Sequence, residues 1–136
     1  MSFTTFESEI VVRPDDIDLN GHVHNSKYLD YVLAARYDQM ERCYKMSMNE
    51  FLERGFSWFV KIAHIEHKRP LFMGEKVLVR THISEVRRRE VRVDYEIVKK
   101  ETGKLSAVGY FDYTMVDKYT GRAMEIPADI AEKYSI

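Results

Sequence analysis

The pattern that most constrains the fold is a change of hydrophobic period near Phe56. Before this residue, apolar side chains recur at roughly helical spacing over a broad arc, at Tyr28, Leu29, Val32, Leu33, Ala35, Met40 and Cys43. A long helix with so broad an apolar arc is typical of one that other elements enclose. We therefore expect a central helix that begins near Asn25 or Ser26, either of which can act as its N-cap.

After Phe56 the apolar residues follow a period of two, which indicates strands. The predicted strands cover Phe56 to His67, the alternating run Val77 to Ile83, the run Val91 to Ile97, and Leu105 to Val116. Turns are expected at Arg87 to Arg89 and at Thr102 to Lys104. This order predicts an antiparallel meander.

Three shorter elements complete the chain. Thr5 to Arg13 is rich in β-branched residues and is stopped by Pro14, so it predicts a first strand. Ser47 to Arg54 has capping-box spacing and predicts a short helical connector. Ala128 to Tyr134 follows a proline and predicts a terminal helix.

These elements predict an α+β fold with a single domain over residues 1–136, in which a curved antiparallel sheet wraps around the long central helix. Such a sheet leaves an edge strand and part of the helix exposed. Self-association buries both, so we expect a homodimer or a homotetramer.

Composition limits the partners and the compartment. The 136 residues are 45% apolar and carry 21 basic against 22 acidic side chains, a formal net charge of −1, which gives no general reason to expect nucleic-acid binding. The single cysteine, Cys43, excludes an intramolecular disulfide and fits a reducing compartment. No signal sequence and no apolar run of membrane-spanning length is apparent. The expected location is the cytoplasm, without membrane insertion.

The chemistry is expected between the first strand and the long helix, where Asp16, Asp18, His22, His24 and Asn25 lie close together in the sequence. Unpaired backbone N–H groups at a helix start can polarise a carbonyl group while a nearby carboxylate attacks it or activates water. These residues indicate a hydrolase.

The residues Asp16-Ile17-Asp18, the run Gly21 to Asn25, and then Tyr28 and Arg36 resemble the signature of the 4-hydroxybenzoyl-CoA thioesterase-like branch of the hotdog-fold superfamily. The resemblance implies a hotdog fold and an acyl-CoA thioesterase whose acyl pocket lies at a dimer interface. CoA is then part of the substrate, and no separate cofactor is expected.

The same resemblance assigns roles to individual residues. The second aspartate of the pair, Asp18, falls on the nucleophile or general base, and the polarising amide falls near His24 and Asn25. Some relatives have a glutamate in the central helix where this chain has Leu33, so that group is absent here.

Each of these residues also has a purely structural interpretation. Asp18 can form or cap a turn, Asp16 fits a structural role better than a catalytic one, and Asn25 can serve only as an N-cap. His22 and His24 can be ordinary loop histidines.

A metal site is not expected. His22, His24 and Asp18, with His64 or His67, are suitable ligand types, but no third ligand position is fixed by the sequence and the family that this chain resembles uses no metal.

Arg87, Arg88 and Arg89 form the densest basic run, at an expected hairpin tip. Bidentate pairing with the nucleotide phosphates of CoA is one function for them, and a solvated turn is the alternative. Lys68 and Arg69 are weaker candidates for the same contact.

The function predicted from the sequence is therefore acyl-CoA thioester hydrolysis. Three alternatives remain: hydrolysis of acyl groups on acyl carrier protein, hydration or dehydration with His22 and Asp18 as an acid–base pair, and acyl-CoA binding without catalysis.

Overall fold

The structure, a computed structural model, describes residues 3–136 and contains one five-stranded antiparallel sheet and three α-helices within them. The strands are β1 (Phe6–Val11), β2 (Phe56–His67), β3 (Lys76–Val86), β4 (Glu90–Lys99) and β5 (Leu105–Asp117). The helices are α1 (Asn25–Arg42), α2 (Met48–Glu53) and α3 (Ala128–Lys133). The elements agree with the predicted ones to within a few residues at each end.

The long helix α1 packs on one face of the sheet, as its broad apolar arc predicts. Val32 and Ala35 are fully buried, and they join one core cluster with Val77, Val79 and Ile97 of the sheet. A second cluster surrounds the last turns of α1, with Met40, Phe51, Ile83, Met115 and Ile130 among its members. The sheet therefore covers the helix along its whole length.

The two ends of the sheet must be distinguished. The end that we call the front end carries Val11, His67, Lys76, Lys99 and Leu105. The opposite end, which we call the back end, carries Phe6, Phe56, Val86, Glu90 and Asp117. The α1 helix starts at the front, because the loop before it is bonded there: the Val12 N–H donates to the Glu75 carbonyl oxygen at 2.9 Å.

The strand order is β1-β3-β4-β5-β2. The predicted meander is correct for β3, β4 and β5, but it is wrong for β2, which pairs with β5 at the far edge of the sheet. The segment between β2 and β3 crosses the front end and is held there by Leu71, which is fully buried and whose carbonyl oxygen accepts a bond from the Val23 N–H at 2.9 Å. Alternation identifies a strand but does not reveal which strand lies next to it.

As the last strand in the sheet, β2 has one unpaired edge. Phe59 is 62% exposed, and Val60 and Ile62 are each more than a third exposed. The register with β5 shifts between Val60 and Ile62, a bulge that bends the strand.

In the part of the chain that the structure describes, no helix is long and apolar enough to cross a membrane.

Candidate active site

The loop before α1 folds into a short two-stranded ribbon at the front end. Ile17 and Val23 form an isolated antiparallel bridge, and the Asp18 N–H donates to the His22 carbonyl oxygen at 3.0 Å. The turn of the ribbon contains Gly21 at φ +84°, a conformation that costs glycine little and other residues more. Asp16 ends a single turn of 3₁₀ helix, Pro14–Asp16, directly before the bridged Ile17, and Asp18 follows Ile17.

Asp16 attaches this ribbon to the helix. It is 7% exposed, and its Oδ2 accepts a hydrogen bond of 2.7 Å from the Tyr31 hydroxyl on α1. Its backbone oxygen accepts the His24 N–H at 2.9 Å. Burial, and then the Asp16 carboxylate, raise the pKa of Tyr31, so this phenol remains a hydrogen-bond donor. Asp16 is therefore a positioning residue.

Asp18 is half-buried, and its two carboxylate oxygens differ in their surroundings. Oδ1 accepts the Asn20 N–H at 2.8 Å, which is the turn-forming role considered above. Oδ2 has no hydrogen-bond or ion-pair partner among residues 3–136. Burial raises the pKa of Tyr28 in the first turns of α1, and the negative charge of Asp18 adds to this rise. The turn role thus leaves one oxygen available.

The N-cap of α1 is His24, so the expectation that Asn25 or Ser26 caps the helix is wrong. His24 has an extended backbone and its Nδ1 accepts the Ser26 N–H at 3.2 Å, while Asn25 is the first helical residue. Histidine is not among the preferred N-cap types, which is why the pattern did not reveal it. The Lys27 N–H is also used, by the His24 carbonyl oxygen at 2.9 Å.

The first backbone N–H of the helix, that of Asn25, has no acceptor within residues 3–136. Asn25 itself is exposed. A helix start with an unused N–H group is suited to bind a carbonyl oxygen that gains negative charge.

Two other histidines near the front end, His22 and His67, each pack against a different aromatic ring. The His22 ring meets the Phe72 ring edge-on, with centroids 6.4 Å apart, and has no side-chain bond to Asp18 in the described chain. His67 contacts Tyr28 edge-on at 4.6 Å. Within residues 3–136 no three His, Cys, Asp or Glu side chains are grouped as metal ligands would be.

The three consecutive arginines lie at the tip of the β3–β4 hairpin, as predicted, but at the back end of the sheet. Arg87 pairs with Glu85 at 2.8 Å, and Arg88 pairs with Glu125. Arg89 has no carboxylate partner in the described chain. At about 3.4 Å per residue, the 11 residues of β3 place this tip roughly 35 Å from the front end of that strand.

Basic residues at the front end are closer to Asp18 of the same chain. Lys68 and Arg69 follow β2 there, and the Arg69 Nη1 donates to the Leu105 carbonyl oxygen at 2.9 Å.

A cavity of about 180 Å³ lies between the later turns of α1, the back half of the sheet and α3. Its walls are almost entirely apolar, and they include Leu33, Met40, Trp58, Val60, Val93, Tyr113 and Ile130. One charged side chain, Arg36, also lines it and is only 6% exposed.

From the sequence, Arg36 stood out only as part of the resemblance, and the cavity was not predicted. A signal was present, because Arg36 lies four residues after Val32 and four before Met40 and so falls on the apolar face of α1.

Comparison with known proteins agrees with this architecture. The family model described as the thioesterase-like superfamily matches residues 12–134. The chain belongs to this superfamily.

Individual relatives are similar over nearly their full length. Long-chain acyl-CoA thioesterase FadM of Escherichia coli is 20% identical over 127 residues, which cover 93% of this chain and 95% of FadM. The crystal structure of a DHNA-CoA thioesterase from Staphylococcus aureus matches with a TM-score of 0.90 at 23% identity, covering 96% of this chain and 89% of that one. A hypothetical protein from Thermus thermophilus matches with a TM-score of 0.87 at 31% identity, over 95% and 96% of the two chains.

The predicted family, the α+β hotdog fold and the thioesterase class of enzyme are therefore confirmed.

Proposed function

We propose that this protein hydrolyses an acyl-CoA thioester to a carboxylic acid and CoA, with Asp18 and the start of α1 as the reacting groups. The observation that carries the proposal is the unpaired Oδ2 of Asp18 in a ribbon that leads into a helix whose first N–H, on Asn25, is unused within residues 3–136. The carboxylate supplies the nucleophile or base, and the N–H stabilises the charge that forms on the carbonyl oxygen. FadM and the DHNA-CoA thioesterase both act on CoA esters, which supports the choice of thiol.

Two chemical routes use these groups. In the nucleophilic route, Oδ2 of Asp18 attacks the carbonyl carbon, the C–S bond breaks, CoA leaves as the thiolate, and water then cleaves the mixed anhydride. In the general-base route, Asp18 takes a proton from a water molecule that attacks the same carbon directly. Mass spectrometry of the protein quenched during turnover distinguishes them, because only the nucleophilic route adds the mass of the acyl group.

The histidines of the ribbon have supporting roles in this proposal. His24 fixes the helix start through its bond to the Ser26 N–H, so it holds the Asn25 N–H in position. His22 packs against Phe72 and pairs through its backbone with Asp18, so it helps to hold the carboxylate in place.

The complete site is proposed to lie in a homodimer. The unpaired edge of β2 exposes Phe59, Val60 and Ile62, and an exposed apolar edge strand favours pairing with a second copy. Antiparallel pairing of two such edges about a two-fold axis sets the front end of one subunit beside the back end of the other.

Within one chain, the ribbon with Asp18 lies at the front end, whereas the cavity and the arginine tip lie towards the back end. The proposed dimer brings the ribbon of one subunit to the cavity and tip of the other. The Trp58 and Val60 side chains that line the cavity belong to β2, so the cavity adjoins the proposed interface and the reacting ribbon of a second subunit. Arg87, Arg88 and Arg89 at the back end are likewise proposed to bind the CoA phosphates of the second subunit's substrate. Sedimentation equilibrium over a dilution series, read beside specific activity, tests this; a fully active monomer contradicts it, and the fitted mass separates dimer from tetramer.

The direct test of the function is thiol release from a panel of short, long, branched and aromatic acyl-CoAs, with the same acyl groups on acyl carrier protein as a parallel series. Turnover of the CoA esters at a higher kcat/KM supports the proposal. Saturable binding of every ester without thiol release would leave a non-catalytic acyl-CoA binder and overturn it.

The hydratase alternative is not favoured. It needs His22 and Asp18 to act as a side-chain acid–base pair, and these two side chains are not bonded to each other in the described chain. Addition of water to an enoyl-CoA, followed as loss of enoyl absorbance, tests it.

A further inference from the structure

Arg36 is a buried cation without a carboxylate beside it. It is 6% exposed, and no Asp or Glu oxygen of residues 3–136 forms an ion pair with it, although most other arginines of the chain have such a partner. Removing a guanidinium from water without a nearby anion is energetically unfavourable. Folded proteins usually neutralise such a charge with a paired carboxylate, and the described part of the chain places none beside Arg36.

The protein groups around Arg36 use little of its hydrogen-bonding capacity. A guanidinium has five N–H donors, and the structure gives it a single bond, from Nη1 to the Thr81 Oγ1 at a long 3.4 Å. Its Cζ lies 5.3 Å from the centroid of the Tyr44 ring, a cation–π contact. The remaining donors have no protein acceptor in the described chain.

The bond to Thr81 begins a relay in which every member donates away from Arg36. The Thr81 hydroxyl donates to the Gln39 Oε1, the Gln39 Nε2 donates to the Ser8 Oγ at 3.1 Å, and the Ser8 hydroxyl donates to the Asp38 Oδ2 at 2.6 Å. The dipoles thus turn their negative ends towards the cation, but the first carboxylate is four hydrogen bonds away. Asp38 also pairs directly with Arg42 at 2.9 Å, so its charge is already balanced.

The guanidinium charge of Arg36 acts on two tyrosines that line the cavity, Tyr113 and Tyr134. Burial raises the pKa of Tyr113 to about 12, and the charge of Arg36 opposes that rise. It acts in the same direction on Tyr134, whose pKa burial also raises. Both tyrosines line the cavity, so the cation lies close to its wall.

The size of the cavity limits its occupant. A protein cavity of roughly 150 Å³ holds benzene, so 180 Å³ suits one ring or a short aliphatic chain. Walls that are apolar apart from one cation fit an apolar body with one anionic end.

We propose that this cavity binds a small organic carboxylate, aromatic or short aliphatic, whose carboxylate pairs with the unneutralised guanidinium of Arg36. Guanidinium and carboxylate form two parallel N–H to oxygen bonds, which uses the donors that the protein leaves unpaired. The carboxylate can belong to a free acid or to the far end of an acyl group. Its place in an acyl group rests on the proposed thioesterase function, whereas binding of the free acid does not.

The first test compares charged and neutral ligands of equal shape on the wild-type protein. Benzoate and hexanoate are titrated beside benzamide and hexanamide, with calorimetry and with the fluorescence of Trp58, the only tryptophan, as readouts. Trp58 lines the cavity, so its signal reports binding there rather than elsewhere. We expect the carboxylates to bind at least tenfold more tightly, since bonds to charged groups exceed neutral ones by this order.

Variants then assign the preference to Arg36. Arg36→Met should abolish the preference for carboxylate over amide, and Arg36→Lys should retain only part of it, because lysine keeps the charge and loses the bidentate geometry. Arg122→Met, at an exposed arginine outside the cavity, is the matched control and should bind like the wild type. Equal wild-type affinity for carboxylates and amides overturns the proposal whether or not the Arg36 variants fold, as does a preference that survives in folded Arg36→Met.

A further pair of measurements separates this site from the proposed catalysis and identifies the source of the carboxylate. Asp18→Asn should bind benzoate as the wild type does even if no thioester is hydrolysed by either protein. A dicarboxylic monothioester of CoA should show at least tenfold higher kcat/KM than its methyl-ended analogue in the wild type, and the ratio should fall in Arg36→Met. If the two thioesters have equal kcat/KM values but the protein still binds benzoate and hexanoate, the site binds free acids rather than the far end of an acyl group.

Discussion

The ribbon at the front end and the hairpin tip at the back end are both rich in charge, but their polar groups are used differently. At the front, Asp18 keeps one carboxylate oxygen without a partner among residues 3–136, and the Asn25 N–H is also unused there. At the back, Arg87 and Arg88 are both bound by carboxylates of the same chain. The tip has the denser charge, and the ribbon has more unused bonding capacity.

The difference shows that availability for chemistry follows from unpaired groups rather than from charge density. A carboxylate that is already bonded to arginine is a weak nucleophile, and an arginine that is already paired must lose that partner to bind a phosphate. We therefore expect the largest effects on rate from the ribbon and small effects on substrate binding from the tip.

The sharpest test of the comparison is Asp18→Asn. The amide keeps the bond to the Asn20 N–H but can neither attack the thioester nor take a proton, so kcat should fall by a factor on the order of 10² or more. Asp15→Asn, at an exposed aspartate of the same loop that pairs with Arg13, is the matched control and should keep nearly full activity. Wild-type kcat in Asp18→Asn removes Asp18 from the mechanism.

Asp16, two residues earlier on the same ribbon, should affect stability instead. Asp16→Ala removes the acceptor of the buried Tyr31 hydroxyl and should lower the free energy of unfolding by about 1 to 3 kcal/mol. Asp15→Ala breaks only an exposed ion pair and should cost well under about 1 kcal/mol. Urea denaturation measures both, and equal costs would contradict the positioning role of Asp16.

The fold could be predicted closely because each element has a local signal. The broad apolar arc predicted α1, Pro14 marked the end of the first strand, and Pro127 marked the start of the terminal helix. The position of β2 beside β5 depends on pairing across the sheet, which a single sequence does not show. For the same reason, the sequence did not show that Asp18 and the arginine tip lie at opposite ends of the sheet.

The sequence indicated a candidate site at the level of a loop, and its atomic contacts come from the structure. The residue types between Asp16 and Asn25 indicated hydrolysis, but only the structure distinguishes the buried Asp16 from the half-buried Asp18. The cap at His24 and the unneutralised charge of Arg36 depend on contacts that spacing alone does not determine.

The arginine tip should give a smaller effect than either aspartate. Replacing Arg87, Arg88 and Arg89 with alanine should raise KM for a CoA ester by roughly threefold to tenfold, with little change in kcat, because phosphate contacts lie far from the bond that breaks. Arg89→Ala alone should produce most of this change, since Arg89 has no carboxylate partner in the described chain.

Two controls decide whether the tip holds CoA at all. A short thioester without the nucleotide should be unaffected by the triple change. If instead Arg69→Ala at the front end raises KM for the CoA ester and the triple change does not, the phosphates bind at the front and the proposed use of the tip is wrong.

The smallest expected effect concerns acid. Hydrogen bonds from Arg87, Lys61 and Arg92 hold the pKa values of Glu85, Glu90 and Asp112, respectively, below their ordinary range. A depressed folded-state pKa contributes stability above the ordinary carboxyl pKa of about 4, and this stability is lost as the pH falls through the folded value. Acid should therefore loosen the β3–β4 hairpin and its neighbours at the back end.

Amide hydrogen exchange between pH 5 and pH 3, corrected for intrinsic rates, measures this at the hairpin. The Arg87 N–H, which donates to the Glu90 carbonyl oxygen at 2.8 Å, should lose protection before the Asp18 N–H of the ribbon. Arg87→Met should reduce the pH dependence at the tip, because it removes the main cause of the lowered Glu85 pKa. The Arg87–Glu85 pair is exposed, so its contribution should be local and weakened by salt, whereas the Arg92–Asp112 pair is largely buried and should respond less to salt. Simultaneous loss of protection at ribbon and tip would instead mean that acid acts on the whole sheet.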